Sequence, residues 1–154
     1  MNTIDWDKVD NTIDKLSFKG ETITGKCVNV YDGDTVKIVF PINNKLYKWN
    51  CRLSGIDTPE LRTKNLKEKK LGYKVRDELR TKILNKMVLI KCDNFDKYGR
   101  LLVDIYLKEQ SQTGGSNENK NSNMSINSWL IENKFAFKYD GGIKQSWGDY
   151  LNTI

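Results

Sequence analysis

The chain has 154 residues, 38% of them hydrophobic and 30% charged, which fits one soluble domain with a real core. It contains no histidine, which excludes Ser-His and Cys-His catalysis, and the lack of a Cys-x-x-Cys pair argues against a zinc site. The formal charge of +6 points either to a polyanionic partner, most simply nucleic acid, or to a Lys-rich surface that serves solubility.

The chain opens on Met1-Asn2-Thr3-Ile4-Asp5-Trp6, which is polar and acidic and does not read as a signal peptide. Trp6, Val9, Ile13 and Leu16 follow at spacings of 3, 4 and 3. That pattern predicts a short amphipathic helix within an N-terminal extension, residues 1–20. Its expected role is to cover the domain's own core rather than to serve as a partner-binding arm.

Strand signals come next. Val28 and Val30 alternate with polar residues up to Asp32-Gly33-Asp34, and Val36, Ile38 and Phe40 alternate again. Pro41 to Lys45 form a turn with Asn43-Asn44 at its tip. Tyr47, Trp49, Cys51 and Leu53 share one face of the next strand, so Arg52 points the other way. After Pro59, Leu71, Val75, Leu79 and Ile83 recur every four residues among lysines and arginines, which is a helix with a basic outer face. Val88, Ile90 and Cys92 make a strand, Asp93 to Arg100 a polar loop, and Leu101, Val103, Ile105 and Leu107 another strand.

Residues 109–124 are rich in Ser, Asn, Gln and Gly and are expected to be a flexible low-complexity loop. Ser125 can cap a last helix carrying Ile126, Trp129 and Leu130, ending at Asn133 or Lys134. Residues 143–154 read as a tail without a clear fold. The three cysteines (Cys27, Cys51 and Cys92) lie in strand-like runs and cannot all pair, so they are expected to be small buried thiols of a reduced, intracellular protein. No apolar run is long enough to span a bilayer.

Mainly β with helices is therefore the expected class (α+β). Five short strands with a helix between the third and fourth predict a Greek-key OB-fold barrel, here with about three helices.

Three blocks carry chemistry. Asp34 leaves the first turn and Asp57 ends the strand after Arg52, so the two carboxylates can converge on one cation, with the Thr58 carbonyl as a third oxygen. Such a donor set suits Ca²⁺ or Mg²⁺ equally. Glu60, behind Pro59, can orient or deprotonate a water; alternatively it simply starts a helix. Arg52 and Arg100 offer planar forks for a phosphate, where lysine would be only a point charge. Donors aimed at developing charge are worth roughly 3–4 kcal/mol each in comparable sites. Lys97, Tyr98 and Tyr139 can contact phosphate and stack on a base, while Phe137 is expected in the core.

Val30-Tyr31-Asp32-Gly33-Asp34-Thr35-Val36, Arg52-Leu53-Ser54-Gly55-Ile56-Asp57-Thr58-Pro59-Glu60 and Asp96-Lys97-Tyr98-Gly99-Arg100 together resemble the staphylococcal nuclease (thermonuclease) family. The likeness runs from about Glu21 to Gly142, so residues 21–142 are expected to be one nuclease domain. The resemblance implies an OB-fold and Ca²⁺-dependent hydrolysis of DNA and RNA, with little sequence or sugar specificity, leaving 3′-phosphates. It makes calcium the expected cofactor, with magnesium second. Asp34, Asp57 and Thr58 would be the calcium ligands. Arg52 and Arg100 would grip the phosphate, Glu60 would act on water, and Tyr139 would take the family's base-stacking position. The implied partners are DNA and RNA, with no membrane and no obligate protein partner. The absence of a signal-peptide pattern and the reduced cysteines, rather than the resemblance, make the expected location cytoplasmic, in a cell or a virus-infected host. A non-catalytic OB-fold module that binds nucleic acid is the competing expectation. It would not need Asp34, Asp57, Glu60 and both arginines together.

Overall fold

A computed structural model of the chain describes residues 3–108 and 124–153. Its strands in chain order are β1 (Thr22–Val30), β2 (Thr35–Ile42), β3 (Lys45–Leu53), β4 (Ile56–Asp57), β5 (Met87–Phe95), β6 (Leu101–Leu107) and β7 (Phe137–Lys138). Its helices are α1 (Leu66–Ile83), α2 (Ile126–Glu132) and α3 (Trp147–Leu151). Five strands close a barrel in the order β1-β2-β3-β6-β5, and β4 pairs separately with β7. The fold is the five-stranded OB barrel with three helices.

Alternating apolar residues turn inward because the period of a strand is two. Val36, Ile38 and Phe40 of β2 and Val103 and Ile105 of β6 are buried, as the pattern requires. Asn43 and Asn44, at φ +50° and +67°, make the tight β2–β3 turn that asparagine tolerates. α1 lays Val75, Leu79 and Ile83 on the core, capped by the Asn65 side chain accepting from the Glu68 amide. In α2 the Ser125 hydroxyl accepts from the Ser128 amide, and the left-handed residue after the helix is Lys134, at φ +61°.

Several expectations are corrected. The helix over Trp6 to Leu16 is absent; the segment holds one 3₁₀ turn, Trp6–Lys8, and its apolar side chains are exposed. A helix this short is marginal in water unless its apolar face is buried, and among the described residues nothing covers it. In β1, Cys27 and Val30 point inward, not Val28 and Val30, because a bulge between Cys27 and Asn29 shifts the register. The inward face of β3 begins only at Trp49, so Tyr47 is 44% exposed. Phe137 lies outside the barrel core, stacked 4.0 Å from Trp147. The tail that had no clear fold forms α3, with Trp147 and Leu151 buried. Of the expected 109–124 loop, residues 109–123 lie outside the described residues. The three cysteines are free and buried, and burial pushes their thiols up to about 11 for Cys27 and Cys92 and about 12 for Cys51.

Candidate active site

The first block is built by turn chemistry. Asp32 Oδ1 accepts from the Asp34 amide at 3.1 Å and the Thr35 amide at 2.9 Å, which bends the chain sharply after β1. Gly33 lets that bend sit close to its neighbours: a Cβ there would meet Val75 Cγ1 at 2.8 Å and Thr58 Cβ at 2.9 Å. The turn carrying Asp34 is thereby pressed against both α1 and Thr58. Asp32 itself is pushed up to about 6, by burial first and then by the Asp34 charge.

Thr35 pairs with Arg52 across β2 and β3, which brings Arg52 beside Asp34. The guanidinium donates to the Leu53 carbonyl at 2.9 Å, the Ile56 carbonyl at 3.0 Å and Asp34 Oδ2 at 3.4 Å. Its fork thus ties β3, β4 and the first turn together. Asp57 pairs with Phe137 in the small sheet, and Asp57 and Thr58 are 4% and 3% exposed. Asp57 Oδ1 lies 3.4 Å from Lys144 Nζ.

Glu60 is placed by α1. A Cβ on Gly72 would meet the Glu60 carbonyl at 2.9 Å, so the helix backbone touches the segment before it. The Glu60 amide donates to Glu68 Oε2 at 2.9 Å. Burial raises the Glu60 carboxyl above its ordinary value, and the charges of Asp34, Asp57 and Glu68 raise it further, against a lowering by Lys144. Negative charge therefore gathers around Asp34, Asp57 and Glu60. Asp34 and Asp57, with the Thr58 carbonyl, offer oxygen donors only, which suits a hard cation. Among the described residues, no group of three or more His, Cys, Asp or Glu side chains is placed to hold a metal ion by itself.

In the third block Asp96 is the organiser. Its Oδ1 accepts from the Tyr98 and Arg100 amides at 2.9 Å each, and its Oδ2 from Arg100 Nε at 2.7 Å. Burial works against the Asp96 carboxylate, yet these donors outweigh it and hold the group below its ordinary value. Tyr98 is 71% exposed, with Lys97 Nζ 5.1 Å and the Arg100 guanidinium 5.4 Å from its ring. The Tyr139 amide donates to the Gly55 carbonyl at 2.9 Å, which brings this tyrosine over the loop after β3.

Arg52, Lys97, Tyr98, Arg100, Tyr139 and Lys144 line one cleft of about 680 Å³, whose wall also carries Asp93, Asp96 and Asp140. Asp34, Asp57, Thr58 and Glu60 do not line it. Two of them are joined to it through its walls, Asp34 by Arg52 and Asp57 by Lys144. A neighbouring hollow of about 630 Å³ shares Ser54, Gly55, Tyr139 and Asp140. Its other charged groups are Asp104 and Lys138, so it lacks the concentrated cations of the cleft.

Four residues acquire a place here that the sequence reading did not give them. Glu68 holds the Glu60 amide, Lys144 pairs with Asp57, and Asp96 aims Arg100. Asn127 is the fourth: its side-chain amide donates to the Ser54 and Val103 carbonyls at 2.9 and 3.0 Å, which fastens α2 under the floor of the cleft. Asp96 was legible as the first residue of a quoted block; the others have no local signal.

The family model described as "Staphylococcal nuclease homologue" matches residues 50–150. The match takes in every site residue named above except the Asp32–Asp34 turn. A protein of Methanocaldococcus jannaschii, described as uncharacterized, is 36% identical over 116 residues, covering 61% of this chain and 53% of its own. An uncharacterized protein of Bacillus anthracis is 33% identical over 96 residues, covering 60% of this chain and 43% of its own. The chain thus spans about half the length of the curated relatives it matches. Among the described residues, no helix is long and apolar enough to cross a membrane.

Proposed function

Because the chain belongs to the staphylococcal nuclease homologue family, we propose that it is a calcium-dependent endonuclease. It would hydrolyse phosphodiester bonds of DNA and RNA with little regard for sequence or sugar. The observation that carries this reading is the position of Arg52, which lines the cleft beside Lys97, Arg100 and Lys144 and also donates to Asp34. One guanidinium thereby links a place for phosphate to a place for a hard cation.

Asp34, Asp57 and the Thr58 carbonyl would hold the calcium ion, with magnesium as the second choice. When bound, that ion supplies positive charge that polarises a phosphoryl oxygen. The remaining chemistry belongs to the chain. Arg52 and Arg100 donate to the equatorial oxygens as negative charge gathers there. Glu60 takes a proton from the attacking water. Water oxygen bonds to phosphorus, the bond to the 5′ oxygen breaks, and that oxygen leaves with a proton from solvent. The products are a 3′-phosphate and a 5′-hydroxyl. Lys97 and Lys144 attract the backbone, and Tyr98 and Tyr139 offer faces on which bases stack.

The test is cleavage of single-stranded DNA, double-stranded DNA and RNA with Ca²⁺, with Mg²⁺ and with a chelator, followed by analysis of the ends. Calcium-dependent cleavage that leaves 3′-phosphates supports the reading. Salt-sensitive binding without cleavage under any condition replaces it with a binding module.

A further inference from the structure

The segment that precedes the barrel has a surface the site does not use. Ile4, Trp6, Val9, Ile13 and Leu16 are 57, 70, 41, 62 and 70% exposed. Single exposed apolar residues are ordinary, but five in so short a stretch are a patch. Four of them keep the spacing of one helix face although no helix forms. Local turns hold the segment open instead. Asp5 Oδ1 accepts from the Asp7 amide at 3.2 Å, and Asp10 Oδ1 accepts from the Thr12 amide at 2.9 Å. Phe18 then anchors the chain, packed 5.8 Å from Phe40 and 5.5 Å from Trp49. The arm therefore leaves the barrel beside the β2–β3 hairpin.

That hairpin carries a matching surface. Ile42, Tyr47, Lys48 and Trp49 line a mostly apolar hollow of about 320 Å³, with Leu46 beside it 68% exposed. Lys45 Nζ stands 5.4 Å from the Tyr47 ring, so two lysines rim an apolar floor. The charges complement one another. Residues 3–16 carry Asp5, Asp7, Asp10 and Asp14 against Lys8 and Lys15, a net of −2, and since the chain totals +6 the remainder carries +8.

We propose that two copies of this chain exchange these arms. Residues 3–16 of each copy become helical on the hairpin hollow of the other, with Trp6 as the anchor and Asp5 and Asp7 facing Lys45 and Lys48. Among the described residues the arm does not occupy the hollow of its own chain: Trp6 stands 70% exposed while that hollow is open. A two-fold exchange makes each contact twice and closes the assembly. A helix too short to persist alone forms when its apolar face finds a groove.

Sedimentation equilibrium of the full chain tests this. The wild type is expected to dimerise, and Trp6→Ala with Ile13→Ser is expected to weaken the dimer by about tenfold or more. Added salt should weaken it too. All the substituted side chains are exposed, and near-ultraviolet circular dichroism checks that each variant folds. Lys45→Glu with Lys48→Glu should weaken self-association, and mixing that variant with Asp5→Lys, Asp7→Lys should restore a heterodimer. A wild type that stays monomeric overturns the proposal, as does a dimer indifferent to these changes. So does a monomer in which Trp6 is protected from oxidative footprinting, because the arm would then be closing on its own hairpin.

Discussion

Lys144 Nζ lies 3.4 Å from Asp57 Oδ1, and the Asp57 side chain is only 6% exposed. The ammonium thus sits on a carboxylate proposed to bind calcium, and on that proposal the two cations would compete for it. Lys144 is itself 48% exposed, so solvent screens the pair and its worth is at most about 1 kcal/mol. Lys144→Met is expected to bind calcium up to about fivefold more tightly. The same variant should bind DNA more weakly in chelator, since the cleft loses a cation. Calorimetry with Ca²⁺ and a DNA titration read the two effects separately. Calcium affinity unchanged or lowered would show that Lys144 does not contend for the site.

Arg52→Lys keeps the charge and loses the fork. One ammonium cannot reproduce the geometry with which the guanidinium meets the Leu53 and Ile56 carbonyls and Asp34. The expected result is a fall in kcat of about 10²-fold or more with the fold retained. Steady-state kinetics beside a thermal melt separates lost chemistry from lost structure. Turnover near that of the wild type would remove Arg52 from its proposed role.

Gly33→Ala should disturb the acidic cluster without touching a charged group. The new Cβ would stand 2.8 Å from Val75 Cγ1 and 2.9 Å from Thr58 Cβ, so the turn must move. Overpacking of this kind costs about 1–3 kcal/mol. Chemical denaturation should show that loss, and calcium affinity should fall as Asp34 is shifted away from Thr58. A variant as stable as the wild type would mean that the turn yields freely.

The Asp96 carboxyl is held below its ordinary value, so its contribution to stability is complete above the unfolded-state pKa and fades as pH falls through the folded one. Asp96→Asn should therefore lower stability by a constant amount from neutral pH down to about pH 5. Below that the gap between variant and wild type should narrow. Denaturation midpoints of both proteins across that range check the sign. A gap that widens on acidification would contradict it.

The barrel was legible where one period governs a strand. Val36, Ile38 and Phe40 follow the simple alternation and are all buried. β1 was not, because the bulge after Cys27 breaks the alternation and leaves no mark in residue type. The arm shows a different limit. Periodicity tells which side chains of a segment share a face, but not whether the chain supplies anything to cover it. For Trp6, Val9, Ile13 and Leu16 the described residues do not.

At the site, the acidic turn and the Arg100 loop were readable because their geometry is local. Asp32 and Asp96 each organise a turn within a few residues of themselves. Lys144 and Asn127 were not readable, since each meets its partner across a long stretch of sequence. The close approaches that Gly33 and Gly72 allow were silent for a similar reason: they are set by how α1 and the Thr58–Glu60 segment pack.

The most direct test of the central claim compares wild type with Glu60→Ala on one labelled single-stranded DNA, with calcium and with a chelator. Cleavage by the wild type that requires calcium, and its loss by about 10²-fold or more in the variant while DNA binding persists, is the predicted result. Equal cleavage by both proteins would contradict the role given to Glu60. No cleavage by the wild type, with DNA still bound, would contradict the nuclease reading itself.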